Sequence, residues 1–189
     1  RILGAELAKH DFSAQEHAFA RELLSGSIRW QIALDCIAHA HTKGRIRSGV
    51  ALHAIRLGLY QLLCMNSVAD HAAINETINA AKPELGKESK FVNAVLRATS
   101  RSVIQSTEAL PNTHIFRAFE IGFGKAVFAD STEDPQLAAA QQYSYPHFLV
   151  KRWWQEVGEQ QCIHRMVTLN QTAQIWRRNN LCKSAPEEV

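Results

Sequence analysis

Between residues 48 and 65 apolar side chains recur at Leu52, Ile55, Leu59, Leu62 and Leu63, at intervals of 3, 4, 3 and 1. That spacing specifies a helix with a broad apolar stripe, which other elements must cover. Gly58 lies inside it. A mid-helix glycine costs about 1 kcal/mol relative to alanine, so its presence implies a neighbouring helix that approaches too closely for a side chain. The run is not a membrane span. Residues 50–65 form the greasiest segment of the chain, yet polar groups break it well short of about 18 uninterrupted apolar positions.

The segments around this helix repeat its logic. Ser13-Ala14-Gln15-Glu16 is a capping box, with Phe19, Leu23 and Leu24 on one face behind it. Gly26 stands where a C′ glycine would stop the helix, and Ser27 where a new cap would start the next, carrying Ile28, Ile32, Ile37 and Ala38 as far as His41-Thr42-Lys43-Gly44. Asp70 is expected to cap a fourth helix, with Ile74, Ile78 and Ala81 inward and Pro83 ending it. A fifth is expected from about Lys87, burying Phe91, Val92, Val95, Leu96 and Val103. Short connections make such helices spatial neighbours, hence an orthogonal or bundle-like all-α domain over residues 1–108.

Beyond it the pattern changes. Pro111, Gly122, Gly124 and Pro135 punctuate residues 109–142 without sustained periodicity, which reads as an irregular linker with one short helix over 137–142. From Ser144 and Pro146 a helix resumes with Leu149, Trp153 and Val157 every four residues. Gly158 closes it, Cys162, Ile163, Met166 and Leu169 form another, and residues 173–179 are strand-like. At the ends, Ile2, Leu3 and Leu7 already follow a helical spacing. Ser184-Ala185-Pro186-Glu187 is a helix-start box with two residues behind it, so a longer protein is expected at both ends.

Composition narrows the function classes. The 189 residues are 46% hydrophobic and 21% charged, which excludes collagen, low-complexity disorder and a coiled-coil rod. Cys36, Cys64, Cys162 and Cys182 are far apart and form no CxxC pair, a usage that points to a reducing cytoplasm. Gly122-Phe123-Gly124-Lys125 lacks the four-residue spacing and the following Ser/Thr of a phosphate loop, so it reads as a turn. His10, His17, His39 and His41 show no metal-helix spacing, and no nucleophile elbow or dinucleotide fingerprint is present. No catalytic residue and no metal ligand is therefore expected in the chain.

Charge is the stronger signal. Residues 1–110 hold 13 Lys/Arg against 10 Asp/Glu, whereas residues 111–189 hold 8 against 8. Lys43, Arg45 and Arg47 crowd one turn. Lys90, Arg97 and Arg101, seven and four residues apart, share a helix face opposite the apolar stripe. Such clusters are suited to phosphate contact, with affinity that falls steeply as salt rises. An ordinary solvated helix surface is the alternative, as core packing is for the stacking candidates Trp30, Tyr60, Trp153 and Trp154.

Three ordered motifs carry a resemblance. Ile55-Arg56-Leu57-Gly58-Leu59-Tyr60-Gln61-Leu62-Leu63, His71-Ala72-Ala73-Ile74-Asn75-Glu76-Thr77 and Phe91-Val92-Asn93-Ala94-Val95-Leu96-Arg97 closely resemble the NusB-like RNA-binding domain. The variant is the one at the N-terminus of the RsmB/Sun family of bacterial 16S rRNA cytosine-5 methyltransferases. Leu24-Ser25-Gly26-Ser27-Ile28-Arg29-Trp30 is similar to that family's leucine-x-glycine-x-x-arginine turn. Residues 143–153 resemble the helix that opens its methyltransferase half, and Asn170 with Arg178 and Asn180 is similar to its asparagine and the strand that follows, although Asn179 stands where valine is usual.

The resemblance implies a NusB-like helical domain that holds rRNA, a linker over 109–142, and the opening of a small RRM-like α/β subdomain over 143–189. It further implies a Rossmann-type catalytic domain outside these residues, which binds S-adenosylmethionine and uses two cysteines; Cys162 and Cys182 match neither. On this basis the chain by itself carries no cofactor, and its partners are 16S rRNA and its own methyltransferase domain, with no membrane. Candidate RNA contacts are Lys43, Arg45, Arg47, Lys90, Arg97 and Arg101. Arg29, Gly58, Asn75 and Asn93 are family-motif positions with structural roles, the asparagines bonding between helix ends, while Arg29, Arg56 and Arg97 can bridge helices as readily as phosphates. The alternative is a free-standing NusB-like antitermination or ribosome-assembly factor, which has no need of residues 143–180. A helical protein-interaction domain without RNA is the third reading.

Overall fold

The computed structural model describes residues 5, 7, 9–46, 48–65, 68–104 and 110–171. The helical spacing at Ile2 and Leu3, the strand-like 173–179, Arg47, Cys182 and the box at Ser184 lie outside them.

Five helices form the first body: α1 (Ala14–Arg29), α2 (Gln31–Thr42), α3 (Gly49–Cys64), α4 (Asp70–Leu85) and α5 (Ser89–Ser102). The glycine-bearing stripe belongs to the central helix, α3, which packs against α1, α2, α4 and α5. Gly58 works as its position suggests, because a Cβ there would lie 2.6 Å from Cδ1 of Leu96 on α5. Arg56 on α3 clasps Asp35 on α2 with two hydrogen bonds of 2.6 and 2.7 Å, so this motif arginine bridges helices. Gln61 and Thr77, both buried, bond at 2.9 Å and tie α3 to α4.

Several helix ends differ from the sequence reading. The Ser13 capping box forms, but Gly26 does not stop α1, which runs on to Arg29. Gly26 is a contact glycine instead: a Cβ on it would fall 1.9 Å from the Tyr60 ring. Ser27 caps nothing and returns its hydroxyl to the Leu24 carbonyl at 3.0 Å, and Ile28 is left exposed. Asp70 is the first residue of α4, behind Ala69, and accepts a hydrogen bond from Ser100. Pro83 sits inside α4. The carbonyl its ring leaves unpaired belongs to Asn79 on the exposed side, where water can satisfy it, and Gly86 (φ 52°) ends the helix instead. Val103, expected in the α5 core, is exposed and starts a strand.

The 109–142 stretch is more ordered than its missing periodicity suggested. Three very short antiparallel strands, β1 (Val103–Ile104), β2 (Ile115–Phe116) and β3 (Ile121–Phe123), form a sheet in the order β1-β3-β2. From this segment Phe116, Phe123, Val127 and Phe128 enter the same core as α2 and α3. Phe116 lies at ring distances of 5.5 Å from Trp30, 5.0 Å from Phe119 and 5.8 Å from Phe128.

Two further helices follow, α6 (Pro135–Tyr143), capped by Asp134, and α7 (His147–Asn170), broken at Gly158 (φ 76°, ψ 172°) as the sequence indicates. Val150, Cys162 and Met166 bury a small core of their own against Ala139 and Ala140. Ser144, between α6 and α7, fixes this unit to the first: its hydroxyl oxygen accepts from the Ile32 amide at 2.9 Å and satisfies an open donor at the start of α2. Among the described residues no helix is long and apolar enough to cross a membrane.

Candidate nucleic-acid interface

On α5 the residues Val92, Val95, Leu96 and Thr99 are buried, so the helix turns Lys90, Arg97 and Arg101 outward on the opposite face, all exposed. Arg97 makes one hydrogen bond, from Nε to Oδ1 of Asn93 at 3.0 Å, within the helix. Asn93 thus steadies Arg97 and does not join helix ends. Asn75 is exposed and makes no side-chain hydrogen bond among the described residues.

The turn between α2 and α3 lies beside this helix. His41 at the end of α2 meets the Ser102 hydroxyl at 2.8 Å, and Ser48 before α3 donates to Glu88 at 2.6 Å. The end of α2 therefore lies beside the last turn of α5, and Ser48 beside the residue that precedes its first. Lys43, in a left-handed conformation (φ 52°), and Arg45 project from this turn and are exposed. Glu88 accepts the hydroxyl proton of Ser48 and makes no ion pair with Lys43 or Arg45 among the described residues.

A cation not foreseen from the sequence joins the group. Gly124 donates to the Ser102 carbonyl at 2.8 Å, and the next residue, Lys125, donates its ammonium to the Ala40 carbonyl at 2.8 Å. A cation at a helix C-terminus satisfies an open carbonyl and complements the dipole. Burial and the neighbouring charge of Lys43 hold the Lys125 amine below its ordinary value. Lys43, Arg45 and Lys125 thus meet at one edge, where α2 and α5 end side by side. Like charges gathered with no ion-pair partner among the described residues favour an anionic partner.

His41 lies under that edge, between the Ile37 carbonyl at 2.9 Å and Ser102. Burial, opposed by the Ile37 carbonyl and reinforced by Lys125, holds its imidazole below the ordinary value. The unfolded chain therefore takes up this proton first as pH falls. The stability tied to neutral His41 is present above about pH 6.5 and is lost as pH drops from there toward the depressed folded value. Between about pH 7 and 5 the native chain is expected to lose more stability than His41→Gln, read from urea midpoints; parallel curves would contradict this placement.

The helical arrangement agrees with an independent comparison: the model of the NusB family matches residues 1–101. The chain belongs to the NusB family. In this NusB-family chain the match covers α1 to α4, the 43–46 turn and α5 as far as Arg101, and hence Lys90, Arg97 and Arg101.

Similarity also extends beyond that domain. The chain is 26% identical over 181 residues to the "Probable ribosomal RNA small subunit methyltransferase B" of Bacillus subtilis (strain 168), covering 92% of this chain and 35% of that protein. It is 27% identical to the Synechocystis protein of the same name, covering 97% of this chain and 37% of that protein. A "Transcription antitermination protein NusB" of Coxiella burnetii is 32% identical over 106 residues, 54% of this chain and 76% of that protein. The chain thus spans about a third of the length of the two methyltransferase-named relatives. No solved structure matches it.

The one sheet among the described residues of the NusB-family chain is three antiparallel strands of two or three residues. Burial, with Asp35 beside it, pushes the Cys36 thiol up to about 11. Burial likewise raises Cys64 and Cys162, so none of these thiols is poised as a nucleophile. No group of three His, Cys, Asp or Glu among the described residues is arranged for a metal.

Proposed function

We propose that this chain is the RNA-recognition module of an S-adenosylmethionine-dependent 16S rRNA cytosine-5 methyltransferase, holding the rRNA while methyl transfer takes place on a catalytic domain outside these residues. The observation that carries the proposal is the exposed α5 face with Lys90, Arg97 and Arg101, flanked by Lys43, Arg45 and Lys125. It stands on a domain whose similarity to the methyltransferase-named relatives continues across 92–97% of the chain. A free-standing NusB-like factor is favoured by the 32% identity to the Coxiella protein, but that similarity covers only 106 residues and leaves α6 and α7 without a purpose. The cofactor and the reacting cysteines are assigned to the catalytic domain, and the setting is the bacterial cytoplasm.

Binding to 16S rRNA fragments at several salt concentrations tests the turn. Each phosphate neutralised contributes roughly 0.7–0.9 to the slope of log affinity against log salt. Reversing two charges in Lys43→Glu/Arg45→Glu should therefore flatten the slope by about 2 and weaken all fragments similarly. An unchanged slope would take the turn out of the interface.

A further inference from the structure

At the other end of α2, about 18 Å from Lys43 along the helix axis, the end of α1, the last turn of α3, the turn at 117–119 and the end of α7 enclose a cleft of about 430 Å³. That volume lies in the range of about 300–1,000 Å³ that suits a small ligand. Trp30, Phe119 and Tyr143 supply aromatic wall, and Glu22, Arg29 and Asn170 the polar groups.

Each polar group has unused capacity. Glu22 accepts from the Tyr60 hydroxyl at 2.6 Å through Oε1, and Oε2 has no hydrogen-bond partner among the described residues. Asn170 donates through Nδ2 to the Tyr143 carbonyl at 2.9 Å, and its Oδ1 has no hydrogen-bond partner among the described residues. Arg29, exposed in the last turn of α1, makes no hydrogen bond or ion pair among the described residues, so it does not serve the bridging role its motif position suggested. The bond from the Ile32 amide to Ser144 holds Tyr143 and Tyr145 beside Arg29 and Trp30. Burial, with Glu22 beside it, raises the Tyr60 hydroxyl, and burial raises that of Tyr145; the charge of Arg29 opposes both shifts. Outside the cleft the pattern continues. Tyr145 stacks 5.5 Å from Trp153, and the Arg165 guanidinium lies 5.3 Å over the Trp153 ring.

A positive group, aromatic walls and free acceptors are the chemistry of an unstacked nucleotide. We propose that this cleft holds one unpaired nucleotide of single-stranded RNA, with Arg29 meeting its phosphate and the free oxygens of Glu22 and Asn170 accepting from the exocyclic amino group of its base. The proposal rests on the RNA-binding reading and adds a second contact that reads strandedness and base type. Acceptors prefer cytosine over uracil, because a cytosine-like edge offers an amino donor and uracil presents a carbonyl there.

The test is binding of the 189-residue chain to oligocytidylate and oligouridylate of about twelve nucleotides. Native protein should bind the cytidylate several-fold more tightly. Arg29→Ala, which folds because the side chain is exposed, should weaken both by about fivefold to tenfold. Glu22→Gln keeps an acceptor for Tyr60 and should erase the preference. Lys90→Glu/Arg97→Glu/Arg101→Glu should weaken both oligonucleotides and leave the preference intact. If Arg29→Ala and Glu22→Gln change nothing while the triple variant loses binding, the cleft is no RNA contact and the α5 reading survives. If native protein binds neither oligonucleotide nor 16S fragments, both readings are overturned.

Discussion

Phe116→Ala should destabilise the chain by about 3–5 kcal/mol, the range for emptying a fully buried aromatic site. Phe116 is 0% exposed, in contact with Trp30, Phe119 and Phe128, and belongs to the core shared with Ile37, Leu59 and Leu96. Lost aromatic pairs add to the cavity, each at about 0.5–1.5 kcal/mol beyond area. Urea unfolding followed by circular dichroism reads the loss. Phe116→Leu, which keeps most of the volume, should stay under about 1.5 kcal/mol and provides a graded comparison if the alanine variant does not fold. A loss under about 1 kcal/mol in the alanine variant would mean that residues 115–128 merely drape over the helices.

Lys90→Glu/Arg97→Glu/Arg101→Glu should weaken binding to 16S rRNA fragments by about 100-fold or more at moderate salt. A typical hydrogen bond contributes about 1 kcal/mol net, below the roughly 1.5–3 kcal/mol of one to a charged group, so three contacts amount to at least about two orders of magnitude before repulsion from the new carboxylates is counted. All three side chains are exposed and opposite the buried face, so the fold should survive and the melting temperature should hardly move. Equal loss across fragments is the mark of phosphate contact, since backbone contacts carry no sequence information.

The helices were legible where period and punctuation agreed. The α3 stripe, the Ser13 box, the stop at Lys43-Gly44 and the break at Gly158 are all local signals, and each is where the spacing placed it. The misplaced ends have distant causes. Gly26 reads as a stop from its neighbours, but its reason for being glycine is the Tyr60 ring on another helix. Strands of two or three residues are too short to show alternation, so the core role of Phe116 and Phe123 left no periodic trace.

The candidate interface was half legible for the same reason. Lys90, Arg97 and Arg101 share a face by helix geometry alone, whereas their placement beside the 43–46 turn depends on His41 with Ser102 and Ser48 with Glu88, contacts 61 and 40 residues apart. Lys125 joins through the Ala40 carbonyl, 85 residues away, and nothing near it in the sequence announces that. Arg29 lost its structural assignment because a motif position does not reveal whether a partner lies within reach.

The most direct measurement is the slope of log affinity against log salt for the native chain and the α5 triple variant on one 16S rRNA fragment. A steep native slope is expected, reduced by about 3 when the three charges are reversed. Equal slopes for the two proteins would contradict it, and would remove the α5 face from RNA recognition.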